Sequence, residues 1–95
     1  MIYKYVPIHI ESVQALQVNG DDVTEVADLS MLVGDGHWCY YNGGAENELF
    51  MVDTGPSYSV VVHAGDYVVK DESGKIRVMN SYEFNNTYRR LGLRA

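Results

Sequence analysis

The run Tyr58-Ser59-Val60-Val61-Val62-His63-Ala64-Gly65-Asp66-Tyr67-Val68-Val69-Lys70-Asp71-Glu72-Ser73-Gly74-Lys75-Ile76-Arg77-Val78-Met79 decides the fold. It holds three β-prone segments: 58–63, 67–70 and 75–79. Valine, isoleucine and tyrosine dominate them, and such side chains pack well on a pleated, half-buried surface. Gly65-Asp66 separates the first two segments. The four residues Asp71-Glu72-Ser73-Gly74 separate the second from the third as a hairpin loop. Connections this short return a chain antiparallel, because parallel neighbours need a crossover of about a dozen residues or more.

Working outward toward the N-terminus, 49–52 is another apolar strand, closed by a turn at Asp53-Thr54-Gly55-Pro56. Before it, His37-Trp38-Cys39-Tyr40-Tyr41 is β-prone and Asn42-Gly43-Gly44 is a strong turn signal. Residues 6–18 alternate, with Val6, Ile8 and Ile10 on one parity, then Val13, then Leu16 and Val18. The break at Ser12-Val13 marks a bulge or a bend. Pro7 sits early, where a strand tolerates a missing donor.

A helix fills the space between. Asn19-Gly20-Asp21-Asp22 turns the chain, and Asp22 with Glu25 has the capping-box spacing. These acids suit the positive end of a helix. Val23, Val26, Ala27 and then Ser30 or Met31 form the expected apolar stripe, and Gly34-Asp35-Gly36 ends the helix. Beyond Met79, Asn80 or Ser81 caps a second helix holding Tyr82, Phe84, Tyr88 and Leu91, which Gly92 stops. The expected order is β-α-β-β-β-β-β-α. That is a single α+β domain over 1–95, with a mainly antiparallel sheet of about five to six strands. Of its two helices, one follows the first strand and one is C-terminal, packed on one face or end of the sheet.

A chain of 95 residues leaves little core to enclose a large active site, since it buries roughly 60–68% of its unfolded surface. Apolar residues make up 46% and charged residues 21%, which excludes global disorder. Eight tyrosines are an unusual number. They suit half-buried strands and contact surfaces, having an apolar ring and a wet tip. The one cysteine, Cys39, leaves no intrachain disulfide and fits a reducing compartment. The start Met1-Ile2-Tyr3-Lys4-Tyr5-Val6-Pro7 lacks the pattern of a signal peptide, and no apolar run nears the ~18 residues of a membrane span. A cytoplasmic protein with no membrane association is expected.

The net charge of −6 is unevenly placed. Residues 1–66 carry ten acids and one base, whereas 67–95 carry six bases and three acids. Phosphates are repelled by most of such a surface, so direct nucleic-acid binding is not expected.

The chemistry-bearing residues form no catalytic signature. His9, His37, His63 and Cys39 lack the paired spacing of a zinc site. His37 and Cys39, two apart on a strand, share a face, a feeble hint of an activated thiol beside the plainer reading of a structural cysteine. Gly34-Asp35-Gly36 and Gly43-Gly44 lack the residues that complete a phosphate loop, and no Gly-x-Ser-x-Gly occurs. Hence no catalytic residue, metal ligand or cofactor is assigned, and the chain is not expected to be an enzyme. Asp21, Asp22, Glu25 and Asp28 read as the wet face of a helix, and Arg89, Arg90 and Arg94 as complements to a helix C-terminus.

Two segments together carry a resemblance. One is Pro7-Ile8-His9-Ile10-Glu11-Ser12-Val13-Gln14, followed by Asn19-Gly20-Asp21-Asp22 and a helix. The other is Gly65-Asp66-Tyr67-Val68-Val69-Lys70, then Gly74, then Phe84 with Thr87-Tyr88. This resembles a group of small bacteriophage and prophage proteins of mostly unassigned activity. They share a Pro-x-x-Ile-Glu-Ala-x-Gln start, a late Gly-Asp-aromatic strand and a Phe-x-x-Thr-Tyr helix. The chain departs from them at Arg77-Val78-Met79-Asn80, where members often carry Tyr-Pro-Cys, and its middle, 34–56, does not match. The resemblance implies a phage origin and the cytoplasm of a bacterial host.

These observations favour a phage accessory protein that binds a host or phage protein, as an inhibitor of a host enzyme or as a nucleic-acid mimic. Trp and Tyr are enriched at interface hot spots. The expected partner surface is therefore the unmatched middle: Asp35, Trp38, Tyr40, Tyr41, Glu46, Glu48 and Asp53. One alternative is a binder or enzyme for a small ligand such as a nucleotide, with an aromatic pocket near Trp38. Another is a homo-oligomeric structural protein joined through edge strands.

Overall fold

The computed structural model of the chain describes residues 13–20, 23–41 and 47–88. The elements run β1 (Val13–Gln17), α1 (Val23–Val33), a 3₁₀ turn (Asp35–His37), β2 (Trp38–Tyr40), β3 (Glu48–Gly55), β4 (Tyr58–His63), β5 (Tyr67–Asp71), β6 (Ile76–Met79) and α2 (Ser81–Thr87). The class is α+β, and every strand pair is antiparallel. The six strands divide into two three-stranded sheets, ordered β1-β5-β6 and β2-β3-β4. Residues 6–12, Asp21, Asp22, the Asn42-Gly43-Gly44 turn and the basic residues from Arg89 onward lie outside the described residues.

The division happens at one corner. Gly65-Asp66 does not close a hairpin between β4 and β5; it hands the chain from one sheet to the other. Asp66 N–H donates to the His63 carbonyl at 3.0 Å, and Gly65 takes φ +94° at the third position of that turn. A left-handed backbone there favours glycine. Val18, just past β1, locks onto the same corner: its N–H donates to Asp66 O at 2.9 Å and its carbonyl accepts from Gly65 N–H at 2.7 Å. Ala64 N–H donates to Asn47 O at 2.7 Å, beside the start of β3. The corner thus joins both sheets through backbone bonds.

The core lies between the sheets and α1. Val18, Leu29, Phe50, Val52, Val62 and Val68 are fully buried there, with Leu16, Val26, Leu32, Val33, Trp38, Ile76 and Val78 packed against them. Alternation explains the strand members. Phe50 and Val52 share a face of β3 and stand opposite Val62 and Val60 of β4. In β5 the consecutive Val68 and Val69 are both fully buried, as in a strand covered on both faces. Val68 belongs to the core. The face of Val69 carries Tyr67, which stacks on Phe84 of α2 with centroids 3.9 Å apart, and Arg77, which donates to Tyr88 Oη.

Four details differ from the sequence expectation. The buried stripe of α1 is Val26, Leu29 and Val33, and Val23, Ala27 and Met31 are exposed. Rotating the helix this way brings the larger Leu29 and Leu32 to the core instead of Ala27. His37 belongs to the 3₁₀ turn rather than to β2. β3 continues through Asp53-Thr54-Gly55, and the turn is Pro56-Ser57. That two-residue turn has no positive φ. It mismatches strand twist, and the register shifts between Asp53 and Gly55 beside it. Lastly, α2 ends at Thr87, so Tyr88 lies beyond it as its C-cap, while the N-cap is Asn80, one of the two expected, its Oδ1 accepting from Glu83 N–H at 2.8 Å.

Candidate functional site

Strand β2 sits at the edge of its sheet, with Trp38 opposite Val52, Cys39 opposite Met51 and Tyr40 opposite Phe50. Trp38 and Tyr40 therefore face the core side and Cys39 the other. Phe50 is the anchor. Its ring meets Trp38 edge-on at 5.6 Å and Tyr40 at 5.5 Å, while Trp38 and Tyr40 meet each other edge-on at 5.3 Å. Trp38 Nε1 donates to Ser30 Oγ of α1 at 2.8 Å. Tyr40 is held by two rings, one of them fully buried, yet remains 60% exposed. Tyr41 prolongs this edge, its N–H donating to Leu49 O at 3.1 Å.

Glu48 lies at the same end of the sheet. Its Oε2 is 3.8 Å from His63 Nε2, and His63 Nδ1 is 3.5 Å from Asp66 Oδ2. Asp66 also accepts from His63 N–H at 3.0 Å. Both carboxylates are only 17% exposed at the side chain, so they belong to the sheet corner. The i,i+3 spacing of His63 and Asp66 was visible in the sequence; Glu48, fifteen residues away, joins them only through β3–β4 pairing.

The other end of β3 holds a second cluster. Asp53 Oδ1 accepts from Ser59 Oγ at 3.0 Å, and its Oδ2 lies 3.4 Å from His37 Nδ1. The carboxylate stands between histidine and serine. A nucleophilic serine needs the imidazole in that middle position, to take its proton. Ser59 here donates to the carboxylate instead, so the arrangement braces β3, β4 and the 3₁₀ turn. A shallow groove of about 360 Å³ beside β1 is lined by Asp71, Lys75, Arg77 and Tyr88, and one of about 620 Å³ runs past His37, Asp53, Ser73 and Lys75.

The expected surface is therefore split. Trp38, Tyr40, Tyr41 and Glu48 gather toward one end of the β2–β3 pair. Asp53 lies five residues along β3 from Glu48, roughly 17 Å at ordinary strand rise, and exposed Asp35 is in the 3₁₀ turn next to His37. Glu46 lies outside the described residues. His37 and Cys39 do not share a strand face, because His37 precedes β2. Among the described residues no group of three or more His, Cys, Asp or Glu side chains is placed to hold a metal ion, and no described helix is long and apolar enough to cross a membrane.

Several acids are engaged inside the fold. Glu25 Oε1 accepts from Asn19 N–H at 3.0 Å. Asp71 Oδ1 accepts from Ser73 Oγ at 2.6 Å and from the N–H groups of Ser73 and Lys75 at 2.9 Å. The Ser73 hydroxyl, followed by the Lys75 amide, holds the Asp71 carboxyl below its ordinary value. Comparison with known proteins finds no matching family model, no matching curated protein and no matching solved structure.

Proposed function

We propose that this chain is a small accessory protein of a bacteriophage that acts by binding a host or phage protein, with Tyr40 at the centre of the contact. The observation that carries the reading is Tyr40 itself: 60% exposed, yet fixed against Trp38 and buried Phe50. An aromatic already ordered loses little entropy when a partner covers it, and such residues dominate interface energetics. Tyr41 prolongs the contact along the same edge. The separation of Glu48 from Asp53 along β3, and the engagement of Glu25, Glu48, Asp66 and Asp71 within the fold, favour this aromatic contact over nucleic-acid mimicry, which needs its charges aligned on one face.

A pull-down from bacterial host lysate, run in parallel with wild type and Tyr40→Ala, tests the reading. Wild type is expected to retain a discrete protein that Tyr40→Ala loses while keeping its melting temperature within a few degrees. Equal recovery of the same proteins by both would overturn it.

A further inference from the structure

We propose that two copies of the chain associate by pairing their β4 strands antiparallel, joining two three-stranded sheets into one of six strands. In the order β2-β3-β4, strand β4 is an edge among the described strands. Exposed edges carry unpaired backbone donors and acceptors, and monomeric proteins blunt them with lysine, proline, bulges or short length. Of the other described edges, β2 has three residues and β6 carries Arg77, while the exposed residues of β1 are Gln14 and Ala15 rather than large apolar side chains. β4 has six residues, Tyr58-Ser59-Val60-Val61-Val62-His63, with no Asp, Glu, Lys, Arg, Pro or Gly among them. Tyr58 is 73% and Val60 39% exposed, although both have the parity of the core-facing Val62. Among the described residues, the core side of the sheet is left open along this edge.

The occupant that fits is a second copy, because the strand is complementary to itself. In an antiparallel pair, directly opposed residues project from the same face. A two-fold axis perpendicular to the sheet therefore places Val60 opposite the second copy's Val60, and Tyr58 opposite the second copy's Val62. Ser59 then meets the second copy's Val61. This register brings the two exposed core-side residues, Tyr58 and Val60, against apolar neighbours, and it opposes no two charges. It leaves His63 and its carboxylates outside the paired stretch. A contact of five residues per strand covers less than the roughly 1,200–2,000 Å² of a stable interface, so the dimer is a weak one. Each copy carries −6, so salt that screens the repulsion tightens it.

Sedimentation velocity from about 10 µM to about 1 mM, which spans micromolar to millimolar dissociation constants, tests the proposal on the full chain. The mass is expected to climb from 10.7 kDa toward twice that value, and at lower concentration when ionic strength rises from about 0.01 to about 0.15 M. Val60→Lys places two ammonium groups at the axis and is expected to weaken association at least tenfold. Tyr40→Ala is expected to leave it unchanged, which separates this interface from the partner contact. A second readout does not depend on Val60→Lys folding well. In a Cys39→Ser background, Val60→Cys with oxidised glutathione is expected to form a disulfide-linked dimer, since opposed residues lie within disulfide reach. Glu72→Cys, on the β5–β6 loop, serves as the collision control. A monomer throughout the range, a dimer indifferent to Val60→Lys, or cross-linking of Val60→Cys no faster than the control would each overturn the proposal.

Discussion

The Trp38 indole donates its N–H to the Ser30 hydroxyl across 2.8 Å, tying the edge strand β2 to helix α1. Trp38 is half-buried, and its ring also packs edge-on against Phe50. One bond thus sets the rotation of α1 and the pose of the ring that holds Tyr40. Ser30→Ala removes the acceptor and keeps the volume. A half-buried donor left without a partner costs about 1 kcal/mol, a fall of roughly 4–8 °C in melting temperature for a chain of this length. Trp38 is the sole tryptophan, so its emission is expected to change in the same variant. An unaltered melting temperature and spectrum would show that the bond does not hold the helix.

Gly34 ends α1 at φ +95°, its N–H donating to Ser30 O at 2.9 Å. A Cβ there would stand 3.1 Å from His37 Cδ2. Gly34→Ala is expected to destabilise by about 1–2 kcal/mol, from left-handed strain with the close contact added. Gly36→Ala has open space and no positive φ, so it should stay within about 0.5 kcal/mol of wild type. Urea unfolding of the pair measures both, and equal effects would contradict the account of this helix end.

Phe84 attaches α2 to its sheet. It stacks on Tyr67 at 3.9 Å with ring planes 7° apart and touches Tyr88 at 5.2 Å. Because Phe84 is half-buried, Phe84→Ala is expected to cost about 2 kcal/mol, below the range for a full core phenylalanine. Tyr82, on the same helix but 80% exposed, should tolerate alanine within about 0.5 kcal/mol. Hydrogen exchange along 81–88 should accelerate in the first variant only.

Asp71 sets the acid response of the β5–β6 loop. Its carboxyl is held below the ordinary value of 3.8, first by the Ser73 hydroxyl and then by the Lys75 amide. A carboxylate depressed in the folded state binds protons more readily when unfolded. Its contribution is therefore complete above the ordinary value and lost as pH falls through the folded one. Asp71→Asn should melt below wild type at pH 6–7, and the gap should narrow as pH drops beneath 4. A gap that is constant with pH would assign the effect to geometry, not charge.

The sequence carried the strands well where local signals agreed. Turn residues and branched side chains marked β4, β5 and β6, and the alternation of Trp38, Cys39 and Tyr40 separated an inner face from an outer one. It could not show that Gly65 directs the chain into a second sheet, because a turn reads alike whether its flanking strands pair or part. The stripe of α1 was misplaced because Val23, Ala27 and Met31 fit a helical period as well as Val26, Leu29 and Val33 do; packing against β2 chose between them. In the candidate site, Tyr40 and Tyr41 were legible as aromatics of a β-prone segment, but not that this segment is a sheet edge. The pairing of Asp53 with His37, sixteen residues apart, was not legible, nor was that of Glu48 with His63. Both depend on the register between β3 and its neighbours, which no local pattern encodes.

Site-specific photo-cross-linking in the bacterial host tests the partner contact most directly. A photoreactive phenylalanine analogue replaces Tyr40 in one version and the still more exposed Tyr82 of α2 in another. The account predicts one discrete cross-linked protein from position 40 and none from position 82. No adduct at position 40, or the same adducts at both positions, would contradict it.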